Sequence, residues 1–391
     1  MAASPDAIVE IPTPEARPGP DRRWVLAAAL LAMIVTGVVF VTVTEPRVLP
    51  VNWARQTGPT GSVNLDSLVA TADGFAMLSG MTVDGVQLWS SPDGMTWGSQ
   101  PLESAPSQLA PVDEGLIAYG VRIGRFITGD DAGWVQADRE IAFPAEVRSR
   151  QGSGRASVIG GLDGFITMSL FGDVWWSADG SEFDQVVAEP DWGPGQTVNV
   201  PFDSECRPPT TTSPDVPPLV ATDRGFAAMI SSNPAEPFGI WPVCEPEVWF
   251  SENGRAWTDS KAFFEDGAYV YTLGWREGRF TAVGGLGIGA PAVWTSTSGR
   301  EWEQIDIFSS LSGIDLYTVE TGPAGWVILG RDSQGSETVG WTSQDGLCWT
   351  PLPAQIDGAD TAITAESILL FDRVIYPEIW VGTTTGGRGS C

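Results

Sequence analysis

WSSPDGMTW, residues 89–97, is the stretch of sequence that decides the fold, because its pattern occurs six times along the chain. Two aromatic residues, Trp89 and Trp97, stand eight positions apart and enclose a Ser-Pro-Asp-Gly turn. The other five segments keep this aromatic spacing and a hydroxyl residue near its start: 126–134, 175–183, 249–257, 294–302 and 341–349. Glycine tolerates positive φ, and Asp or Asn accepts hydrogen bonds from nearby backbone amides. Each segment therefore predicts a tight corner between two antiparallel strands.

Two apolar runs come before each corner and are typical of short strands. In the first unit these runs are SLVAT from Ser67 and GFAML from Gly74. With one strand on each side of the corner, every unit contains four antiparallel strands. The first aromatics are separated by 37, 49, 74, 45 and 47 residues, which is close to the length of a propeller blade.

The last unit lacks a corner, and the beginning of the same domain supplies what is missing. Strands predicted at 361–367, 367–374 and 377–385 bring Trp380 to the first aromatic position. LPVNWAR, residues 49–55, provides the fourth strand with Trp53 as the closing aromatic. Joining both ends in one blade removes exposed sheet edges. We therefore predict an all-β propeller with seven blades, with six or eight as alternatives.

The corner resembles the Asp-box of the bacterial neuraminidase repeat propellers, S-x-D-x-G-x-x-W, over nearly all of residues 49–385, although it is one residue shorter here. The resemblance implies that the corners are structural parts of the blades. The residues that we expect to form them are Ser91, Asp93, Gly94, Trp97, Asp130, Trp134, Ser177, Asp179, Gly180, Phe183, Ser251, Asn253, Gly254, Trp257, Ser296, Gly299, Trp302, Ser343, Asp345, Gly346 and Trp349.

The same resemblance raises a sialidase-like glycoside hydrolase as one function. Such enzymes use three arginines, a Tyr–Glu nucleophile pair and an Asp acid/base, with one arginine in an F/Y-R-I-P strand. The nearest string here, RVIYP at 373–377, has the wrong order. Arg122, Arg125, Arg276 and Arg279 could line one face, but the sequence pattern does not bring three of them together. We therefore predict no catalytic residues and favour a non-catalytic protein.

An apolar segment near the N-terminus predicts a membrane anchor. Residues 24–43 contain no charge and match a bilayer core of roughly 30 Å, and Arg22 and Arg23 precede them. We expect a short disordered cytoplasmic tail (1–21), a transmembrane signal anchor (22–44) and an extracellular domain (46–391), in a single-pass protein of the cell membrane. The alternative is cleavage of a signal peptide and secretion.

Composition excludes several classes of function. The chain has 49 acidic against 21 basic residues, a net charge of −28, which disfavours binding to nucleic acid. It has no histidine, which excludes Ser-His-Asp catalysis and histidine zinc sites. Acidic residues would suit Ca²⁺, but no loop has a D-x-D-x-D ligand series. We predict no cofactor and no metal site.

Two irregular excursions, at about 187–219 and 231–247, interrupt the third and fourth units. Their aromatic residues Trp192, Phe202, Phe238 and Trp241 are the candidate binding contacts. Outside the cell the four cysteines are expected to be oxidised, and we pair them as Cys206–Cys244 and Cys348–Cys391. The favoured function is a monomeric binding module for an extracellular protein, peptide or glycan. The further alternative is a component of a cell-surface sensing or assembly complex.

Overall fold

A computed structural model of the protein divides it into two compact units, Met1–Glu45 and Pro46–Cys391. The structure describes residues 49, 51–57, 65–82, 85–102, 106, 108–112, 115–119, 123–130, 133–142, 157–161, 164–168, 174–179, 182–186, 219–230, 246–287, 290–309, 311–332, 338–353, 359–372 and 378–384. The predicted tail (1–21) and anchor (22–44) lie outside these residues. None of the helices in the described ranges is long and apolar enough to cross a membrane. The anchor therefore stays a prediction.

The described residues form seven four-stranded antiparallel sheets, which we call blades 1 to 7. The first strand in the described residues, β1 (Val51–Thr57), belongs to blade 7. Blade 1 has β2 (Leu65–Thr71), β3 (Gly74–Thr82), β4 (Gly85–Ser91) and β5 (Gly98–Pro101), and blade 2 has β6 (Gln108–Val112), β7 (Gly115–Tyr119), β8 (Ile123–Asp130) and β9 (Gly133–Ala142). Blade 3 has β10 (Ser157–Gly161), β11 (Gly164–Met168), β12 (Val174–Ser177) and β13 (Asp184–Gln185), and blade 4 has β14 (Leu219–Thr222), β15 (Gly225–Ile230), β16 (Glu247–Ser251) and β17 (Thr258–Asp259).

The remaining blades follow the same order. Blade 5 has β18 (Ala268–Arg276), β19 (Arg279–Leu286), β20 (Ala290–Ser296) and β21 (Glu303–Gln304), followed by the short helix α1 (Asp306–Ser309). Blade 6 has β22 (Ile314–Gly322), β23 (Gly325–Asp332), β24 (Thr338–Ser343) and β25 (Thr350–Pro351), and blade 7 has β26 (Ala359–Ile363), β27 (Ser367–Asp372) and β28 (Glu378–Thr384) beside β1. These sheets confirm the predicted four-stranded units, in the number that the sequence favoured.

The blades form a closed ring. The first strand of each blade contacts the first strand of the next, in the order β2, β6, β10, β14, β18, β22 and β26, and β26 contacts β2 again. These seven inner strands therefore surround the axis of the ring. Apolar side chains pack between neighbouring blades; one cluster joins Phe75 and Met77 of blade 1 to Leu369 and Val381 of blade 7.

Blade 7 is completed by the beginning of the domain, as the sequence predicts. Strand β1 pairs antiparallel with β28, and Trp380 stands opposite Arg55, two residues after Trp53. In blade 1, Trp89 stands opposite Ser99, which likewise comes two residues after the closing aromatic. Trp53 therefore takes the place of a closing aromatic although no corner connects it to β28.

The corners are held by a repeated set of local hydrogen bonds. In blade 1, the hydroxyl of Ser91 accepts a bond from the amide of Gly94 (2.7 Å), and Asp93 Oδ1 accepts bonds from the amides of Met95 (2.8 Å) and Thr96 (3.0 Å). These two backbone donors, Thr96 first, lower the pKa of Asp93. Blade 6 has the complete network again, and blades 4 and 5 have most of its bonds, with Asn253 and Ser298 in the place of the aspartate.

The corner glycine also packs against the blade before it. Gly94 has a φ of +76°, and a Cβ at this position would lie 2.8 Å from Cδ1 of Leu369 in blade 7. The glycines of the blade 4 and blade 5 corners approach Trp176 of blade 3 and Phe250 of blade 4 in the same way. Each of these corners therefore joins two blades, which supports the structural role expected for them.

At 126–134 the third and fourth strands of blade 2 are joined, as predicted, but without the register of the blade 1 corner. Strands β8 and β9 pair as far as Asp130 opposite Gly133, which leaves only residues 131 and 132 between them. Trp134 lies within β9, opposite Gly129. The sequence has Asp131 where the other units have the corner glycine, which accounts for the different register. In blade 3, Ser177 is buried and Asp179 exposed, while Gly180 lies outside the described residues.

Cys348, in the blade 6 corner, forms a disulfide bond. The part of the chain that the structure describes contains no free cysteine. Cys206, Cys244 and Cys391 lie outside the described residues, so the two predicted pairings stay predictions.

Candidate functional site

The two ends of the blades differ, and the excursions leave from one of them. In blade 4 the β14–β15 hairpin lies beside the corner, since a Cβ on Gly225 would run into the carbonyl oxygen of Ser251. We call this the corner end. Both excursions lie at the opposite edge. The first follows Val186 and ends before Leu219. The second connects Ile230 to Glu247, and these two residues stand opposite each other in the sheet. We call this the excursion end. The candidate contacts inside the excursions, Trp192, Phe202, Phe238 and Trp241, lie outside the described residues.

At the excursion end, blades 5 and 6 bring together three tyrosines and an oppositely charged pair, which we call the tyrosine cluster. Tyr269 and Tyr271 of β18 meet edge to face, with ring centroids 5.2 Å apart. On β22 and β23, Asp315 stands opposite Arg331, and the Arg331 guanidinium lies 5.3 Å from the ring centroid of Tyr317. Asp315 and Arg331 are exposed, Tyr317 is half-buried, and the other two tyrosines are buried.

Two β-bulges place these tyrosines. The register of β18 shifts between Val270 and Thr272, which leaves Tyr271 as the extra residue. The register of β22 shifts in the same way around Tyr317. A bulge bends the strand and turns a side chain away from its regular direction, and bulges occur often beside functional sites. Both are on inner strands, so they act on side chains close to the ring axis.

The pKa values of two groups in the cluster, Tyr269 and Asp315, are raised. Burial raises the pKa of Tyr269, a hydrogen bond from Tyr271 opposes this, and the charge of Asp315 adds to it. Burial also raises the pKa of Asp315, while Arg331 opposes that change. The cluster offers phenols beside one acid and one guanidinium, a combination suited to hydrogen bonding and aromatic contact with a ligand.

A second polar feature lies near the axis between blades 6 and 7. In blade 6, Gly322 of β22 and Gly325 of β23 form the last pair before the hairpin turn, and Glu320 stands two residues before Gly322. The other blades place small or apolar residues there: Val69, Ala110, Ile159, Val220, Gly274 and Ala362. The Glu320 carboxyl reaches solvent but stands among the inner strands, and this partial loss of water raises its pKa to about 7, with a further contribution from Asp360 on β26.

Of the four arginines proposed for a sialidase-like site, Arg276 and Arg279 lie at the corner end. Arg276 donates to the carbonyl oxygens of Gln344 and Pro323 at the corner end, and Arg279 donates to the hydroxyl of Thr295 (3.1 Å). The side chains of Arg122 and Arg125 lie outside the described set. Within the described ranges no three of the His, Cys, Asp and Glu side chains are grouped closely enough to hold a metal ion.

Solved structures of low sequence identity show the fold class of this chain. It is similar to the WD40 repeats of RRP9, with a TM-score of 0.52, 10% identity and coverage of 87% of this chain and 100% of that chain. It is also similar to U3-55K, with a TM-score of 0.50, 10% identity and coverage of 84% and 98%. The protein is therefore a β-propeller. No protein-family model and no curated protein sequence matches the chain.

The sequence contained a signal for the tyrosine cluster that the corner pattern did not use. Three of the five tyrosines stand at 269, 271 and 317, each shortly before the apolar run that leads to a corner. Aligning the units on their hairpin turns places Tyr271 and Tyr317 at equivalent positions. Their convergence still depends on the bulges, which the sequence pattern does not predict.

Proposed function

We propose that the protein is a non-catalytic binding module, held at the outer surface of the cell membrane by residues 24–43, that binds a protein or peptide at its excursion end. The observation that supports this most directly is the position of the tyrosine cluster. It lies on blades 5 and 6, at the same end as the excursion between blades 3 and 4 and the excursion within blade 4.

The chemistry of the cluster suits such a ligand. Tyrosine and arginine are enriched among the residues that contribute most to protein–protein affinity. The Arg331 guanidinium lies over the ring of Tyr317, and Tyr269 and Tyr271 of the neighbouring blade contact each other edge to face. The net charge of −28 favours a partner that presents lysine or arginine, because complementary charge accelerates association. We therefore expect a partner with a basic segment.

The test uses the full chain in lipid nanodiscs against an array of basic, neutral and acidic peptides and a glycan array. Basic peptides should be retained, and Tyr317→Ala or Arg331→Ala should weaken their binding at least about tenfold, as for a hot-spot residue. Arg300→Ala, which changes an exposed arginine at the corner end, is the matched control and should leave affinity unchanged. Equal losses in all three variants, or retention of glycans alone, would refute a protein-binding role for the cluster.

A sialidase-like hydrolase is the second candidate. It is favoured by the corner network of Ser91, Asp93 and Gly94, which is similar to an Asp-box, and membership of that family is itself a proposal. Release of a fluorophore from a sialoside by the same nanodisc preparation would support the enzyme and argue against the binding module.

A further inference from the structure

We propose that the corner end of blades 4 and 5 is a second binding surface, where Phe263 and the arginines of the same end hold an acidic peptide segment of a partner protein. This surface lies at the opposite end of the propeller from the tyrosine cluster, and it depends neither on that cluster nor on the membrane anchor. It adds to the proposed function a second partner, whose charge is opposite to that of the first.

Basic side chains are concentrated at the corner end of these two blades. Their first hairpins and their corners contain four acidic residues and five arginines: Arg224, Arg255, Arg276, Arg279 and Arg300. In the whole chain, acidic residues outnumber basic ones by 49 to 21. The corresponding hairpins and corners of blades 1, 6 and 7 contain aspartate or glutamate and no basic residue. The corner end of blades 4 and 5 therefore favours an acidic partner, because complementary charge accelerates association.

Most of these arginines are not engaged by a carboxylate of the chain itself. Of the five, only Arg276 forms an ion pair within the described ranges, with the exposed Glu277. Arg279 donates one hydrogen bond, to the hydroxyl of Thr295 (3.1 Å), and its other N–H groups have no partner in those ranges. A guanidinium binds a carboxylate through two parallel hydrogen bonds. The surface therefore retains donors that an acidic side chain of another molecule can use.

Phe263 presents a large apolar side chain beside the blade 5 corner. It is 73% exposed, yet its backbone is fixed: its amide donates to the carbonyl oxygen of Arg300 (2.7 Å), and it forms a parallel bridge with Glu301. The next residue, Phe264, is buried and stacks on Trp302, with ring centroids 4.8 Å apart. Phenylalanine and arginine are both enriched in the cores of protein interfaces. Because its backbone is already ordered, Phe263 can act as an anchor at a low cost in conformational entropy.

The arrangement of charges favours an acidic segment of another protein over a lipid surface or a second copy of the chain. Four acidic residues are interspersed with the arginines: Asp223, Glu252, Glu277 and Glu301. A uniformly anionic lipid surface would lie against these acids as well, whereas a peptide can place its carboxylates beside the arginines only. Two copies of the chain, each with a net charge of −28, repel each other.

The experiment measures fluorescence anisotropy of a short peptide of aspartate and glutamate with two central leucines, against the full chain in phosphatidylcholine nanodiscs. Phe263→Ala and Arg300→Ala should each weaken binding at least about tenfold. Arg331→Ala, which removes the same charge at the excursion end, is the matched control and should leave binding unchanged. Glu301→Gln removes a repelling charge beside Phe263 and should strengthen binding about twofold, an effect that structural damage would not produce. Because Phe263 is largely exposed, its variant should keep the Tm of wild type.

Failure of the acidic peptide to bind wild type, or equal losses in Arg300→Ala and Arg331→Ala, would overturn this assignment. A dimer in sedimentation velocity that Phe263→Ala abolishes, without peptide binding, would assign the surface to a second copy and also overturn it. Displacement of the peptide by phosphatidylserine nanodiscs would do the same in favour of anionic lipid. Binding of basic peptides at the tyrosine cluster is scored separately with Tyr317→Ala, so the failure of either site leaves the result for the other standing.

Discussion

Replacing Glu320 by glutamine tests the unusual carboxyl at the ring axis. The pKa of this group is raised from 4.5 to about 7, chiefly by loss of water among the inner strands. Between pH 4.5 and 7 the folded protein keeps a proton that the unfolded chain has released. The free energy of unfolding therefore falls as the pH rises through this window and stays lower above it.

The size of the effect follows from the shift. A change from 4.5 to about 7 corresponds to at most about 3 kcal/mol. Because solvent reaches the side chain, screening reduces this to roughly 1–2 kcal/mol. Glutamine resembles the neutral acid, so Glu320→Gln should stabilise the propeller by that amount at pH 8 and leave it unchanged at pH 4.

Urea unfolding of residues 46–391 at pH 4, 5.5 and 8 measures this difference. Glu303→Gln, on the outer strand β21, is the control for removing one exposed negative charge. If Glu320→Gln and wild type differed by the same free energy at pH 4 and pH 8, the raised pKa would not contribute to stability.

Three further predictions concern the corners and the cysteines. Ser296→Ala removes the acceptor of the buried Gly299 amide (2.8 Å) and should cost about 1–3 kcal/mol in urea unfolding, whereas Ser298→Ala, whose bonds are exposed, should cost under about 1 kcal/mol; equal costs would contradict the network. Gly299→Ala places a methyl group against Phe250 at a φ of +70° and should cost about 2–4 kcal/mol, or roughly 3–6 °C in Tm by calorimetry; an unchanged Tm would show that the corner does not pack on blade 4. Non-reducing peptide mapping should recover Cys206–Cys244 and Cys348–Cys391, and a Cys206–Cys348 peptide would exclude this pairing.

The agreement between sequence and structure is best where the causes are local. A corner needs a glycine at positive φ and an acceptor for two amides, and these requirements lie within a few residues, so the repeated pattern located the corners directly. The same logic explains the different register at 126–134. Asp131 stands in the place of the glycine there, and the strands pair directly up to Asp130 and Gly133.

Ring closure was also predictable, although its partners are more than 300 residues apart. Trp53 and Trp380 complete the aromatic pair of one unit, and a sheet left open would have exposed its edge. The tyrosine cluster and Glu320 were not predicted. Both depend on how one inner strand is placed against the next, and the corner pattern contains no information about that contact.

The sequence by itself determined the repeating unit, the way the ring closes and the class of fold, because a blade is defined by spacing, turn residues and alternation along one segment. Only the tertiary structure decided where function can reside. It placed Tyr271, Tyr317 and Arg331 at the excursion end and Phe263 at the opposite, corner end. Those positions arise from bulges and from contacts between blades, which join residues that are far apart in the chain.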